Sequence, residues 1–230
     1  MLESMEHRRT NYVATLVALS LSSAFAISAR AQAVQVPGLR TPLTWTRTPQ
    51  AYQVTGNGIS ITAAGQTDKY IWSGGGHAPD NASQLVFDDT DGDFILSTAV
   101  THKFESKYDA GGLLVEADGK HWFKFGFERD YTGAHRIVSV VTDEYSDDAN
   151  SLEIGSDKAY LQVAKMGESF ALYASKDGKG WYLVRVFRFR HAGPLKVGFI
   201  VQCLEGPGAT IGFSDSKYRA ERVKDIWKGE

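Results

Sequence analysis

Period-2 alternation of apolar and polar residues constrains this chain more than any other feature. It recurs at residues 59–62, 94–104, 113–117, 122–128, 137–142, 160–165, 170–175, 181–189, 197–203 and 210–213. Alternation places successive side chains on opposite faces of an extended strand, so each segment reads as a strand with one face for a core. Turn chemistry separates them: Gly56-Asn57-Gly58, Asp91-Gly92, Asp118-Gly119, Asp177-Gly178 and Glu205-Gly206-Pro207-Gly208. Short turns of this kind join antiparallel neighbours, because parallel neighbours need long crossovers. About a dozen strands with no helix-period segment between them predict an all-β fold, a two-sheet antiparallel β-sandwich of jelly-roll type. Only residues 216–228 read as a short helix.

Composition sharpens this where strands alone are silent. The chain has 23 Gly and only 6 Pro, with 12 Phe, 10 Tyr and 5 Trp, a balance suited to strands and turns. Its 25 Lys and Arg against 27 Asp and Glu leave a net charge of -2, which excludes nucleic acid as the main partner. A single cysteine, Cys203, excludes an intrachain disulfide framework and a zinc site of several thiolates. It lies on an apolar strand and reads as a buried, inert thiol.

Residues 1–31 read as a signal peptide. Arg8 and Arg9 precede an uncharged run over residues 10–29, which is followed by the small-residue patterns Ala29-Arg30-Ala31 and Ala31-Gln32-Ala33. Residues 32–230 then form a single domain, since no Ser/Gly/Pro linker or charge block divides them. This reading expects an exported protein, periplasmic or extracellular, with no membrane contact once the signal is removed.

Several separated motifs carry a family resemblance. They are Trp45 with Pro49; Thr67-Asp68-Lys69-Tyr70-Ile71-Trp72; Gly92-Asp93-Phe94; Tyr108-Asp109-Ala110-Gly111-Gly112-Leu113; Trp122-x-Lys124-x-Gly126-x-Glu128; Val140-Val141-Thr142 with Tyr145-Ser146-Asp147; and Asp177-Gly178-x-x-Trp181. In this order and spacing the chain resembles the bacterial and fungal family of unknown function named after a yeast regulator of enolase. The resemblance covers about residues 43–215. It implies a concanavalin A-like sandwich associated with carbohydrate, and transfers no catalytic residue. More distantly the chain is similar to the C-terminal sandwich of some β-xylosidases.

The segment 122–129 is the most informative for function. Alternation assigns Phe123, Phe125 and Phe127 to the core and turns Trp122, Lys124, Gly126 and Glu128 to the other face. An aromatic ring, a cation, a gap and a carboxylate in one row can stack on a sugar and hydrogen-bond its hydroxyls. The competing reading is an ordinary solvated face with a surface ion pair. Asp109, Tyr145, Trp72 and His77 are the expected rim contacts, the last two on the loop Trp72-Ser73-Gly74-Gly75-Gly76-His77. Their blander roles are turn-capping for Asp109, core packing for Trp72 and an exposed imidazole for His77.

No cofactor is expected, and no metal ligands are assigned. Calcium is conceivable at Asp88-Asp89-Thr90-Asp91-Gly92-Asp93, but the run lacks the spacing of a helix-loop-helix calcium loop and suits a turn equally. Catalytic support is thin: Glu116-Ala117-Asp118 runs into a turn, so a carboxylate pair would have to join Glu128 to Asp109 or Asp147 across strands. The expected function is carbohydrate binding through the face bearing Trp122, Lys124 and Glu128. Two alternatives stand beside it: a glycoside hydrolase or lyase using Glu128 as acid or base, and a structural sandwich with no small ligand.

Overall fold

A computed structural model describes residues 33–90 and 92–230. Fourteen strands follow in chain order: β1 (Thr44–Arg47), β2 (Ala51–Thr55), β3 (Gly58–Ala64), β4 (Ser83–Asp89), β5 (Phe94–His102), β6 (Ala110–Asp118), β7 (His121–Arg129), β8 (His135–Asp143), β9 (Tyr145–Glu153), β10 (Lys158–Met166), β11 (Ser169–Ser175), β12 (Tyr182–Arg188), β13 (Leu195–Gln202) and β14 (Gly208–Arg219). They form two 7-stranded sheets, ordered β1-β4-β13-β6-β7-β8-β9 and β12-β11-β10-β5-β14-β3-β2. Neighbouring strands pair antiparallel throughout, as in β6 with β7 and β7 with β8. The expected all-β sandwich is therefore the observed one. The expected signal peptide lies outside the described residues.

The core sits between the sheets and follows the alternation. Phe123, Phe125 and Phe127 are each 0% exposed. Phe123 meets Phe170 of β11 and Phe187 of β12, both at 5.0 Å between ring centroids, so these rings join one sheet to the other. Each buried Phe contributes roughly 1.5–3 kcal/mol of apolar burial. Edge-to-face geometry in such pairs adds about 0.5–1.5 kcal/mol.

One departure from the sequence reading has a simple cause. Residues 216–228 are not helical: β14 continues to Arg219, and the chain beyond folds against the outward face of the second sheet. Gln162 Nε2 donates to the Gly229 carbonyl at 2.8 Å and the Tyr173 hydroxyl donates to the Ile226 carbonyl at 2.7 Å. These bonds hold Val223 and Ile226 over Ile95, Ala164 and Tyr173. The described members of the acidic run have separate partners. Asp88 faces Lys196 at 3.5 Å, Asp89 accepts from the Tyr218 hydroxyl, and Asp93 accepts from the Gly167 amide at 2.6 Å. Among the described residues no group of three or more His, Cys, Asp or Glu side chains is arranged to hold a metal ion.

A loop over residues 65–82 positions the candidate site by folding across the outward face of the first sheet. Its base is fastened to the end of β13, where Thr67 N donates to the Cys203 carbonyl at 2.9 Å and Cys203 N donates to Thr67 Oγ1 at 3.0 Å. Its far end is fastened to β9, where Ile71 N donates to Ser146 Oγ and Ser146 N donates to the Ile71 carbonyl, both at 2.9 Å. Ala82, Val86, Leu114 and Ile200 form a small apolar cluster on this face. The outward surface of β7, β8 and β9 is left partly open.

Candidate functional site

Register fixes what meets on that open surface. Lys124 lies opposite Val140, which lies opposite Asp148, and Gly126 lies opposite Val138, which lies opposite Asn150. On the other side of β7, Glu128 pairs with Ala110, which pairs with Gln202. The floor therefore carries Lys124, Glu128 and Gln202 on one side and Asp148 and Asn150 on the other. A Cβ on Gly112 would run into the backbone of Phe125 and Gly126, whereas a Cβ on Gly126 would meet only ordinary contacts. Gly112 is thus required by the close strand approach, and Gly126 leaves a dip in the floor.

Loops raise the walls. The cleft has a volume of about 380 Å³ and is lined by Asp68, Tyr70, Trp72 and His77 from the 65–82 loop, by Tyr108 and Tyr131 from the turns flanking β6 and β7, and by the floor residues. Trp72 is 51% exposed and Tyr131 60%. Tyr108 has a φ of 62°, a left-handed backbone uncommon for a residue with a side chain. Its amide donates to the Arg129 carbonyl at 2.7 Å, which holds that conformation at the cleft edge.

Electrostatics separate the floor groups into paired and unpaired. The Lys124 ammonium donates to Asp68 Oδ1 at 2.9 Å and to Gln202 Oε1 at 2.7 Å. Among the described residues no hydrogen bond or ion pair reaches the Glu128 carboxyl. Glu128 as a whole is only half-buried, but crowding around its carboxyl, reinforced by the negative charges of Asp148, Asp68 and Asp130, outweighs Lys124 and pushes its pKa up to about 8. Burial also raises Asp148, with Lys124 opposing and Asp68 and Asp147 adding to the rise. The phenols of Tyr70 and Tyr108 are raised as well, first by burial, then by Asp148, Asp68 and Asp147 for Tyr70 and by Glu205, Glu128, Asp130 and Asp148 for Tyr108.

The structure brings four of the expected residues together: Lys124, Glu128, Trp72 and His77 all line the cleft. Three others lie elsewhere. Trp122 is 1% exposed, and the Lys69 ammonium sits 4.9 Å from its ring centroid, so its face is already covered. Asp109 is 1% exposed and turns inward, accepting from Ser106 N at 2.9 Å beside His102 and the Cys203 thiol. Tyr145 is exposed at the start of β9 but does not line the cleft. Sequence reasoning missed Asp68, Tyr70, Tyr131, Asp148, Asn150 and Gln202 as lining residues. The polar alternation Ser146, Asp148, Asn150 was the one signal that pointed to two of them. The carboxylate partners weighed for Glu128 do not reach it: Asp109 is inward, and Asp147 faces Arg185 at 3.2 Å.

Comparison with known proteins agrees with the fold. The family profile described as "Protein of unknown function (DUF1349)" matches residues 45–221. "Regulation of enolase protein 1" of Saccharomyces cerevisiae is 27% identical over 173 residues, covering 75% of this chain and 86% of that protein. The crystal structure of a functionally unknown protein from Saccharomyces cerevisiae is similar with a TM-score of 0.73 and 26% identity, over 79% of this chain and 97% of that one. The GH43 protein BlXynB from Bacillus licheniformis shares the fold at a TM-score of 0.62 and 13% identity, over 78% of this chain and 37% of that one. The yeast relative corrects one expectation. It is named for the regulation of enolase and not for an exported role, and the exported localisation expected from residues 1–31 is withdrawn.

Proposed function

The chain belongs to the DUF1349 family of proteins of unknown function, and within that family we propose that its cleft binds carbohydrate. One observation carries the reading: open aromatic rings from three loops converge over a polar floor whose lysine is held in place by Asp68 and Gln202. Sugars present apolar C–H faces to rings and a rim of hydroxyls to fixed donors and acceptors. Trp72 supplies a stacking surface, Lys124 and Gln202 fix an orientation, and Asp148 and Asn150 accept or donate at the open end. Trp122, Asp109 and Tyr145 have no part in this site.

Calorimetric titration against a panel of plant and microbial oligosaccharides tests the reading. Saturable binding is expected, and Trp72→Ala should weaken it on the order of tenfold, the value of one lost stacking contact. A folded protein that binds no member of the panel would overturn it.

The Glu128 carboxyl favours one second reading. With its pKa pushed up to about 8, it keeps its proton at neutral pH and is poised as a general acid, with Asp148 or Asp68 as the second carboxylate of a glycosidase. Turnover of any bound oligosaccharide that is abolished by Glu128→Gln would replace the binding module with an enzyme. Binding without turnover retains the module.

A further inference from the structure

Acidic groups in the cleft outnumber its cations in a way that neutral sugars leave unanswered. Asp68, Glu128 and Asp148 line it against one lysine, and that lysine is already bonded to Asp68 and Gln202. No hydrogen bond or salt bridge reaches Glu128 among the described residues, and the charge of Lys124 acts on it only from a distance. The walls add Tyr70, Trp72, Tyr108 and Tyr131, whose ring faces are electron-rich. Carboxylates and π-faces attract the same kind of group, a cation carried on an otherwise stackable body. A bare metal ion fits poorly, since no chelating group of three such side chains exists among the described residues.

We propose that the cleft selects sugars bearing a free, protonated amine, so that its ligand class is the de-N-acetylated amino sugars. This rests on the carbohydrate-binding reading and names the ligand within it. The sugar ring stacks on Trp72 while its ammonium points to Glu128 and Asp148. Lys124 keeps to the hydroxyl side, because a second cation beside it would be repelled. Burial and neighbouring carboxylates raise Glu128 and Asp148 by more than Lys124 lowers them, so both have room for a second cation, and Glu128, protonated in the empty cleft, releases its proton as the ammonium binds.

Three β-1,4-linked oligosaccharides of equal length separate the possibilities, because they differ only at the 2-position: a chitosan oligomer with an ammonium, a chitin oligomer with an acetamide and a cello-oligomer with a hydroxyl. Calorimetric titration at about pH 6 keeps the amine protonated. The chitosan oligomer should bind at least about tenfold tighter than the other two. That preference, read as the ratio of chitosan-oligomer to cello-oligomer affinity within each variant, should disappear in Glu128→Gln and shrink in Asp148→Asn. Asp88→Asn, an exposed carboxylate outside the cleft, should leave the preference intact. Equal affinity for all three oligomers, or tighter binding of the acetylated one, would overturn the amine preference and leave the carbohydrate site standing. Equal loss in Asp88→Asn and Glu128→Gln would reduce the preference to diffuse attraction and overturn it too. Binding of none of the three, with no binding across the wider panel, would remove the carbohydrate reading itself.

Discussion

One face of β7 contains two regions with opposite fates. At its start, Trp122 lies under Lys69, whose ammonium also reaches Asp80 at 2.9 Å and Glu116 at 3.4 Å, so ring, cation and carboxylates are mutually satisfied. Toward its end, Lys124 is paired but Glu128 is not, and the rings around it remain open. The residue types are nearly the same in both regions. What differs is the 65–82 loop, which lays a lysine across the first region and presents Asp68, Tyr70 and Trp72 only at the rim of the second. A polar sheet face becomes core where a loop completes its contacts, and is left able to bind where the loop leaves contacts over.

The largest expected effect is on the closed region. Trp122→Ala should cost about 3–5 kcal/mol in urea unfolding, because it empties a fully enclosed site. Lys69→Met comes next, at about 1–3 kcal/mol, since it strands Glu116 while Asp80 keeps both water and Arg47. A loss under about 0.5 kcal/mol for either would mean that the region is open after all.

Glu128 and its neighbour Asp130 should then respond to pH with opposite signs. The folded pKa of Glu128 lies above its unfolded value, so the stability given by its neutral form is complete below about pH 4 and is lost as pH rises through about 8. Glu128→Gln should therefore match the wild type near pH 4 and exceed it by about 1–3 kcal/mol near pH 9. Asp130 is buried, which alone would raise it, but Thr132, Ala134 and Arg136 donate to its carboxylate and hold it at about 2. Its contribution is present above about pH 4 and is lost as pH falls toward 2, so Asp130→Asn should be destabilising at neutral pH and progressively less so in acid. Thermal melts across pH report both. A Glu128→Gln difference that does not vary with pH would show that its carboxyl is ordinarily solvated.

The smallest expected change in stability is at Trp72. Trp72→Ala should shift unfolding by no more than about 0.5 kcal/mol, since half of the residue is already exposed. Unfolding comparable to Trp122→Ala would erase the distinction between the two regions.

The sandwich was legible because alternation is a local signal. Phe123, Phe125 and Phe127 declare a buried face without any knowledge of their partners. Four strands left no such mark. β1 and β2 are short, with exposed or half-buried side chains, β9 is a polar edge, and β4 is buried on both faces but has only Leu85-Val86-Phe87 as an apolar run between polar ends. The cleft was half legible for a related reason. Alternation placed Lys124 and Glu128 on one face, and Gly74-Gly75-Gly76 marked the loop with Trp72 and His77. The same rule put Trp122 in that row, because alternation says which face a residue takes and nothing about what lands on it. Lys69 covering Trp122, Asp68 bonded to Lys124, and Asp109 turned toward His102 are all contacts between segments far apart in the chain.

The most direct test of the carbohydrate cleft follows the five tryptophan indole N–H signals by nuclear magnetic resonance during titration with a bound oligosaccharide. The account predicts that the Trp72 signal moves saturably while those of Trp45, Trp122, Trp181 and Trp227 stay in place. Saturable movement of the Trp122 signal with Trp72 unmoved would contradict it, as it would place the sugar on the region that Lys69 closes.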